Sequence, residues 1–157
     1  RPARAHARTA SAGPRAASVI ILDTNVVSEL MKPAPSASVV GWIALQPALS
    51  LYTTSITEAE VLHGVMLLPA GKRRHGLQAA AEAMFGEDFA RRVLPFGSDA
   101  ARAYATIAAG RRRAGRPISH FDAQIAAIAR STRAALATRN TADFEACGIT
   151  LFNPWTA

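Results

Sequence analysis

From Val19 onward the chain alternates short apolar runs with longer stretches in which apolar residues recur every three or four positions. Val19–Leu22 is wholly apolar and β-branched at three of its four residues, the pattern of a strand buried on both faces. Asn25–Met31 predicts a helix stopped by Lys32-Pro33-Ala34-Pro35, and Ser36–Gln46 a second, with Val39, Val40, Ile43 and Ala44 on one face and Pro47 beyond it. Leu49–Thr53 reads as the next strand. Thr57–Leu68 reads as a helix carrying Val61, Leu62, Val65 and Leu68 on one stripe and ending at Pro69-Ala70-Gly71.

Lys72–Phe85 and Asp88–Arg92 are helical in pattern and more polar outside. Val93–Phe96 contains Pro95 and so suits only an edge or irregular strand. Ser98–Ala114 predicts a long helix closed by Gly115, and Ser119–Thr132 another. Ala134–Ala137 and Ile149–Phe152 are the last strand candidates. Strand follows helix almost throughout, with no internal repeat. The expected fold class is α/β, a three-layer α/β/α domain around a short central parallel sheet.

Composition narrows the picture. With 157 residues, half of them apolar, the chain suits one domain with a real core, at residues 19–157. The net charge of +7 points to a polyanionic partner, yet Arg1, Arg4, Arg8 and Arg15 fall in an acid-free segment, leaving +3 for the rest. That segment, residues 1–18, has no hydrophobic period and is expected to be a disordered Arg/Ala-rich tail or extension. The single cysteine, Cys147, allows no intrachain disulfide, and the four histidines are scattered rather than set at zinc spacing. No stretch approaches the ~20 apolar residues of a membrane helix. A soluble, cytoplasmic protein is expected.

Three carboxylates follow strands. Asp23 ends the first apolar run, Glu60 lies early in the helix after the second strand, and Asp122 opens a helix whose apolar positions Ile125, Ala126 and Ala129 share its face. Ligands of open α/β sheets bind at the carboxyl ends of the strands. Thr57-x-x-Glu60 and Ser119-x-x-Asp122 also match a capping box, which would explain those two acids without chemistry. No capping need accounts for Asp23 in this reading, so it carries most of the argument. After Ala134–Ala137, Asn140 holds the strand-end position and Asp143 lies one helical turn on, as a fourth ligand or a cap. Gathered carboxylates without cations suit Mg²⁺ or Mn²⁺, hard ions that prefer oxygen. Such ions serve phosphodiester hydrolysis, in which an activated water attacks phosphorus in line.

These motifs together resemble a known family. Asp23-Thr24-Asn25 after an apolar strand, Thr57-x-x-Glu60 with Gly64, Asp122-Ala123-x-Ile125-Ala126-Ala127, Thr138-Arg139-Asn140-x-x-Asp143-Phe144 and Phe152-Asn153-Pro154-Trp155 look like a PIN-domain ribonuclease. More closely, the chain is similar to VapC toxins of bacterial toxin–antitoxin pairs, in the FitB-like branch, over about Val19 to Trp155. The resemblance implies a Mg²⁺- or Mn²⁺-dependent endoribonuclease, homodimeric, acting on RNA and inhibited by a small cognate antitoxin. It implies Asp23, Asp122 and Glu60 as metal ligands, with Thr24, Asn25 and Thr138 in support. The family's fourth acid falls at Asn140 here, which leaves Asp143 or Asn140 to complete the set.

Other residues have plainer readings beside the functional ones. Arg111, Arg112, Arg113 and Arg116 could meet a phosphate backbone, or simply complement a helix C-terminus and stay solvated. Arg139 adjoins the expected site and, with Arg112, is a candidate RNA or antitoxin contact. Lys72-Arg73-Arg74 reads as wet surface, His120 as a solvent-facing helix start, and Trp42, Met66 and Phe121 as core or dimer interface. The rival functional class is a catalytically degenerate PIN-like module that binds an antitoxin and nucleic acid. Cleavage of DNA instead of RNA is the lesser enzymatic alternative.

Overall fold

The computed structural model describes residues 18–157; the expected tail at residues 1–17 lies outside the described residues. Five strands pair in parallel in the order β3-β2-β1-β4-β5. They are β1 (Ile20–Leu22), β2 (Leu51–Thr54), β3 (Val93–Leu94), β4 (Ala135–Ala137) and β5 (Leu151–Phe152). Six α-helices connect and cover them: α1 (Thr24–Leu30), α2 (Ala37–Ala44), α3 (Ser55–Met66), α4 (Lys72–Ala83), α5 (Ser98–Arg113) and α6 (His120–Thr132).

Alternation along the strands divides the core in two. Ile21 and Leu136 face α5 and α6, packing with Ala100, Ile107, Ile125 and Ile128. Ile20, Leu22 and Ala137 face the opposite layer, packing with Val26 and Val27 of α1, Val39 of α2, Val61 of α3 and Ala81 of α4. This is the three-layer α/β/α sandwich that the pattern predicted. Small side chains let α6 lie close to the sheet: Ala126, Ala127 and Ala129 are fully buried.

Several boundaries differ from expectation for local reasons. Ala48–Ser50 forms a 3-10 turn in which Ser50 Oγ donates to Pro47 O, so β2 starts at Leu51 instead of Leu49. The helical pattern at Asp88–Arg92 is not a separate helix. Met84–Asp88 is a π-helical continuation of α4, and Arg92 turns back to bond the carbonyls of Ala48, Leu51 and Asp88. Pro95 keeps β3 to two residues at the sheet edge, while Ile149 and Thr150 precede β5.

Strand order places the site. From the central β1 the chain runs outward through β2 and β3, then returns to the other side of β1 with β4 and β5. The direction of winding therefore switches between β1 and β4, where α/β sheets open a crevice at their carboxyl ends. Asp23 follows β1 and Thr138 follows β4, and the Asp23 amide donates to the Ala137 carbonyl at 2.9 Å.

Candidate metal centre

Asp23 is buried at this switch point, 4% exposed. Its Oδ1 accepts from the Thr24 amide at 2.8 Å; its Oδ2 accepts from Thr138 Oγ1 at 2.8 Å and from Asn25 Nδ2 at 3.4 Å. Burial raises its pKa to about 6, against the lowering effect of the Thr138 and Thr24 bonds, and the charges of Asp122 and Glu60 add to the rise. Asp23 is also the N-cap of α1, with extended backbone angles. Expectation is corrected here: a capping role exists for this acid, because α1 begins at Thr24 directly after the strand.

Glu60 has the opposite history. Thr54 is the N-cap of α3, its Oγ1 accepting from the Thr57 amide at 3.1 Å. The cap thus lies three residues before the expected one, and Glu60 stands in the second turn of the helix, free of any capping box. Its Oε1 accepts from Thr24 Oγ1 at 3.0 Å. Thr24 Oγ1 also lies 3.0 Å from Thr57 Oγ1, and with its only proton engaged on Glu60 it must accept from Thr57. Burial raises the Glu60 pKa, the Thr24 bond lowers it, and Asp122 raises it again.

Asp122 lies in the first turn of α6, where Ser119 is the N-cap and its Oγ accepts from the Asp122 amide at 3.2 Å. Half of the expected capping box is present. Burial raises the Asp122 pKa, Ser119 lowers it, and the Asp143 charge raises it. Asp143 sits exposed in a 3-10 turn, Thr141–Phe144, that starts from Asn140. Asn140 is exposed too; its amide donates to Thr138 Oγ1 at 3.1 Å, while its side chain makes no capping bond.

The supporting residues thus form one network. Thr138 Oγ1 donates to Asp23 and accepts from Asn25 Nδ2 and the Asn140 amide, and Asn25 Oδ1 accepts from the Arg139 amide. Arg139 carries its guanidinium 5.1 Å from the Trp155 ring centroid, a cation–π contact. Sequence reasoning missed Thr54 and the Thr57–Thr24 bond. The available signal was Thr53-Thr54-Ser55 at the strand end, any of which can cap.

Two other expectations change. Arg111 is neither a phosphate contact nor a wet residue. It is 7% exposed and donates to the carbonyls of Arg116, Asp143 and Glu145, pinning the turn that carries Asp143. Of the two places expected for Met66 and Phe121, core or dimer interface, their exposure removes the core, while Trp42 is half-buried against Phe152. His120 is exposed as expected, though its Nδ1 shares a 2.7 Å hydrogen bond with Tyr104 Oη.

The donor set is all oxygen, the kind a hard divalent cation takes. Among the described residues, the two ion pairs join Lys32 to Glu29 and Arg116 to Glu145, so no basic side chain neutralises Asp23, Glu60, Asp122 or Asp143. Among the described residues no group of three Asp, Glu, His or Cys side chains stands close enough to hold a metal ion by itself. The carboxylates are instead within electrostatic reach in pairs: Asp23 with Asp122 and Glu60, Glu60 with Asp122, and Asp122 with Asp143. That suits Mg²⁺, which takes one or two carboxylates and fills its shell with water and substrate phosphate. A cleft of about 500 Å³, lined by Thr24, Glu60, Val61, Gly64, Arg73 and Leu77, opens beside Glu60.

Among the described residues, no helix is long and apolar enough to cross a membrane. Comparison with known proteins agrees with the fold. The PIN domain family model matches residues 20–148. VapC ribonuclease Y4jK of Sinorhizobium fredii is 44% identical over 87% of this chain and 98% of its own length. Toxin FitB of Neisseria gonorrhoeae is 39% identical over 87% of this chain and 99% of its own. The solved structure of FitAcB from Neisseria gonorrhoeae superposes with a TM-score of 0.83 at 38% identity, over 88% of this chain and 100% of that one. A family model spanning most of the folded residues, and relatives aligned almost end to end, leave one assignment: the chain belongs to the PIN-domain family.

Proposed function

We propose that this protein is an endoribonuclease, the toxin of a toxin–antitoxin pair, which hydrolyses RNA phosphodiester bonds with a divalent metal at the edge of β1 and β4. The observation that carries the reading is the set of acids Asp23, Glu60, Asp122 and Asp143, coupled through their charges and without an ion-pair partner among the described residues. The ribonuclease and toxin relatives support it.

Asp23, Glu60 and Asp122 would hold Mg²⁺ or Mn²⁺. When bound, the metal supplies Lewis-acid polarisation of a phosphate oxygen and lowers the pKa of water. Thr138, Asn25 and the Thr24 amide hold Asp23 in one orientation, and its Oδ1, which accepts a single bond, keeps a lone pair for a further partner. The chain Thr57→Thr24→Glu60 orients Glu60. Asp143, whose charge reaches Asp122, completes the set in preference to the neutral Asn140. Arg139, braced on Trp155 next to Thr138, is placed for a phosphate of the RNA or an acidic group of the antitoxin. A short antitoxin segment fits the cleft beside Glu60, where Leu77 and Val61 offer apolar surface and Arg73 a charge. Homodimerisation and a cytoplasmic setting accompany this reading.

The test is cleavage of RNA in Mg²⁺ or Mn²⁺ by Asp23→Asn and Asp122→Asn. Each should lose activity with its circular dichroism unchanged, and full cleavage by both would refute the reading. The open geometry of the acids favours one second reading, a degenerate binding module. Calorimetric Mn²⁺ titration separates the two, since a module without a metal site shows no binding heat that depends on Asp23.

A further inference from the structure

Between α5 and the segment that leads into α6 lies a second cavity of about 480 Å³, lined by Tyr104, Ala108, Arg112, Pro117, Ile118 and His120. Tyr104 and His120 lie within 18° of parallel, ring centroids 6.5 Å apart, and are tied by the 2.7 Å bond between Tyr104 Oη and His120 Nδ1. Phe96 meets Tyr104 edge-on at 6.1 Å. Two aromatic rings in fixed, near-parallel planes beside Ile118 and Pro117 offer a flat apolar surface of the size of one base. Stacking of this kind accepts any base and is a main source of affinity for single strands.

Charge selects the occupant. Arg112 lines the cavity and Arg113 follows it; both are exposed, and among the described residues neither has an ion-pair partner. Their neighbours Arg111 and Arg116 are committed to the clamp on the Asp143 turn and to Glu145. A guanidinium without an ion-pair partner among the described residues, set beside a stacking surface, matches a nucleotide, whose phosphate Arg112 would engage while its base meets the rings. His120 and Asp122 occupy the same first turn of α6, about 3 Å apart in rise. A strand crossing the start of that helix meets both Asp122 and the aromatic cavity.

We infer that the Tyr104–His120–Arg112 cavity is a nucleotide subsite that seats one unpaired base of the RNA flanking the scissile bond. The inference rests on the nuclease reading, which it deepens by assigning a specificity determinant. Arg112 and Tyr104 are then positioning residues and take no part in bond cleavage.

The experiment uses a randomised pool of single-stranded 12-nucleotide RNA with two readouts: binding with divalent metal chelated, and Mn²⁺-dependent cleavage followed by sequencing of the ends. Tyr104→Ala should weaken binding roughly tenfold and flatten the base preference at one position near the cut. Arg112→Ser should weaken binding several-fold at low salt and less at high salt, and Tyr104→Phe, which keeps the ring, should bind nearly as wild type. Arg112 is exposed, so its variant reads the subsite even if Tyr104→Ala folds poorly. A wild type that cleaves, with variants that bind and select bases unchanged, overturns the subsite and leaves the nuclease standing. A wild type that binds through Tyr104 but does not cleave supports the subsite and overturns the nuclease. Absence of RNA binding by wild type overturns the subsite. If these variants instead lose only the ability to bind a protein inhibitor, the cavity is a protein-docking site and the inference falls.

Discussion

Thr138 Oγ1 donates a 2.8 Å hydrogen bond to Asp23 Oδ2 across 115 residues of sequence, joining the ends of the two strands that flank the switch point. The same hydroxyl accepts from Asn25 and from the Asn140 amide. Thr138→Val should therefore take from the buried Asp23 carboxylate its 2.8 Å donor and cost about 1–3 kcal/mol of stability. Urea unfolding checks the stability, and metal-dependent cleavage should fall with it. Thr138→Ser, which keeps the hydroxyl, should restore most of both.

Asp23 makes the metal-free protein sensitive to pH. Its carboxyl is raised from 3.8 to about 6 in the folded state, chiefly by burial. Between those values the folded protein holds a proton that the unfolded chain has released, so stability falls as pH rises through that window and levels off above it. The shift corresponds to about 3 kcal/mol in order of magnitude. Denaturant midpoints at pH 5 and 7.5, with metal chelated, should show this decline, and Asp23→Asn should flatten it. Mn²⁺ should reverse the loss at the higher pH, because the ion replaces the proton.

Thr24 and Thr57 differ in rank. Thr24 donates directly to Glu60, whereas Thr57 donates only to Thr24. Thr24→Val should thus lower Mn²⁺ affinity by about tenfold or more, the usual cost of losing a residue that orients a ligand. Thr57→Val should cost less, and calorimetric titration orders the pair.

The fourth corner is decided by charge. Asp143→Asn should weaken Mn²⁺ binding by about tenfold, and Asn140→Ala by clearly less, since only Asp143 adds negative charge that reaches Asp122. Calorimetry on both variants provides the comparison. An equal or larger loss at Asn140 would move the fourth ligand to that residue.

Arg111 and Arg112 are neighbours with separate tasks. Arg111→Met should destabilise the fold by about 1–3 kcal/mol, because the carbonyls of Asp143 and Glu145 lose the donor that the buried Arg111 supplies. Arg112→Ser should stay within about 0.5 kcal/mol in the same unfolding assay, as an exposed residue without partners.

Much of this was legible from local order. Fully apolar β-branched runs followed by three- and four-residue periodicity dictate buried parallel strands and covering helices, because each strand must hide two faces. Asp23 was legible as a candidate because it stands directly past such a run, whereas Glu60 and Asp122 carried a capping explanation beside the functional one. The helix starts were less legible. Thr53, Thr54, Ser55 and Thr57 are all able to cap, and only the bond from the Thr57 amide to Thr54 Oγ1 chose among them. That choice freed Glu60 from a capping role, while the direct passage of β1 into α1 gave one to Asp23.

By itself, then, the sequence determined the layers, the edge placement of the Pro95 strand and the place of Asp23 at a strand end, since these follow from burial and backbone chemistry within a few residues; Asp122, expected past a strand, instead follows α5 and a loop. Tertiary structure alone decided the partners. The order β3-β2-β1-β4-β5 set Thr138 against Asp23, turned Arg111 inward onto the Asp143 turn, and laid Tyr104 beside His120. Each of those contacts joins segments far apart in the chain, where no periodicity records which side chain will meet which.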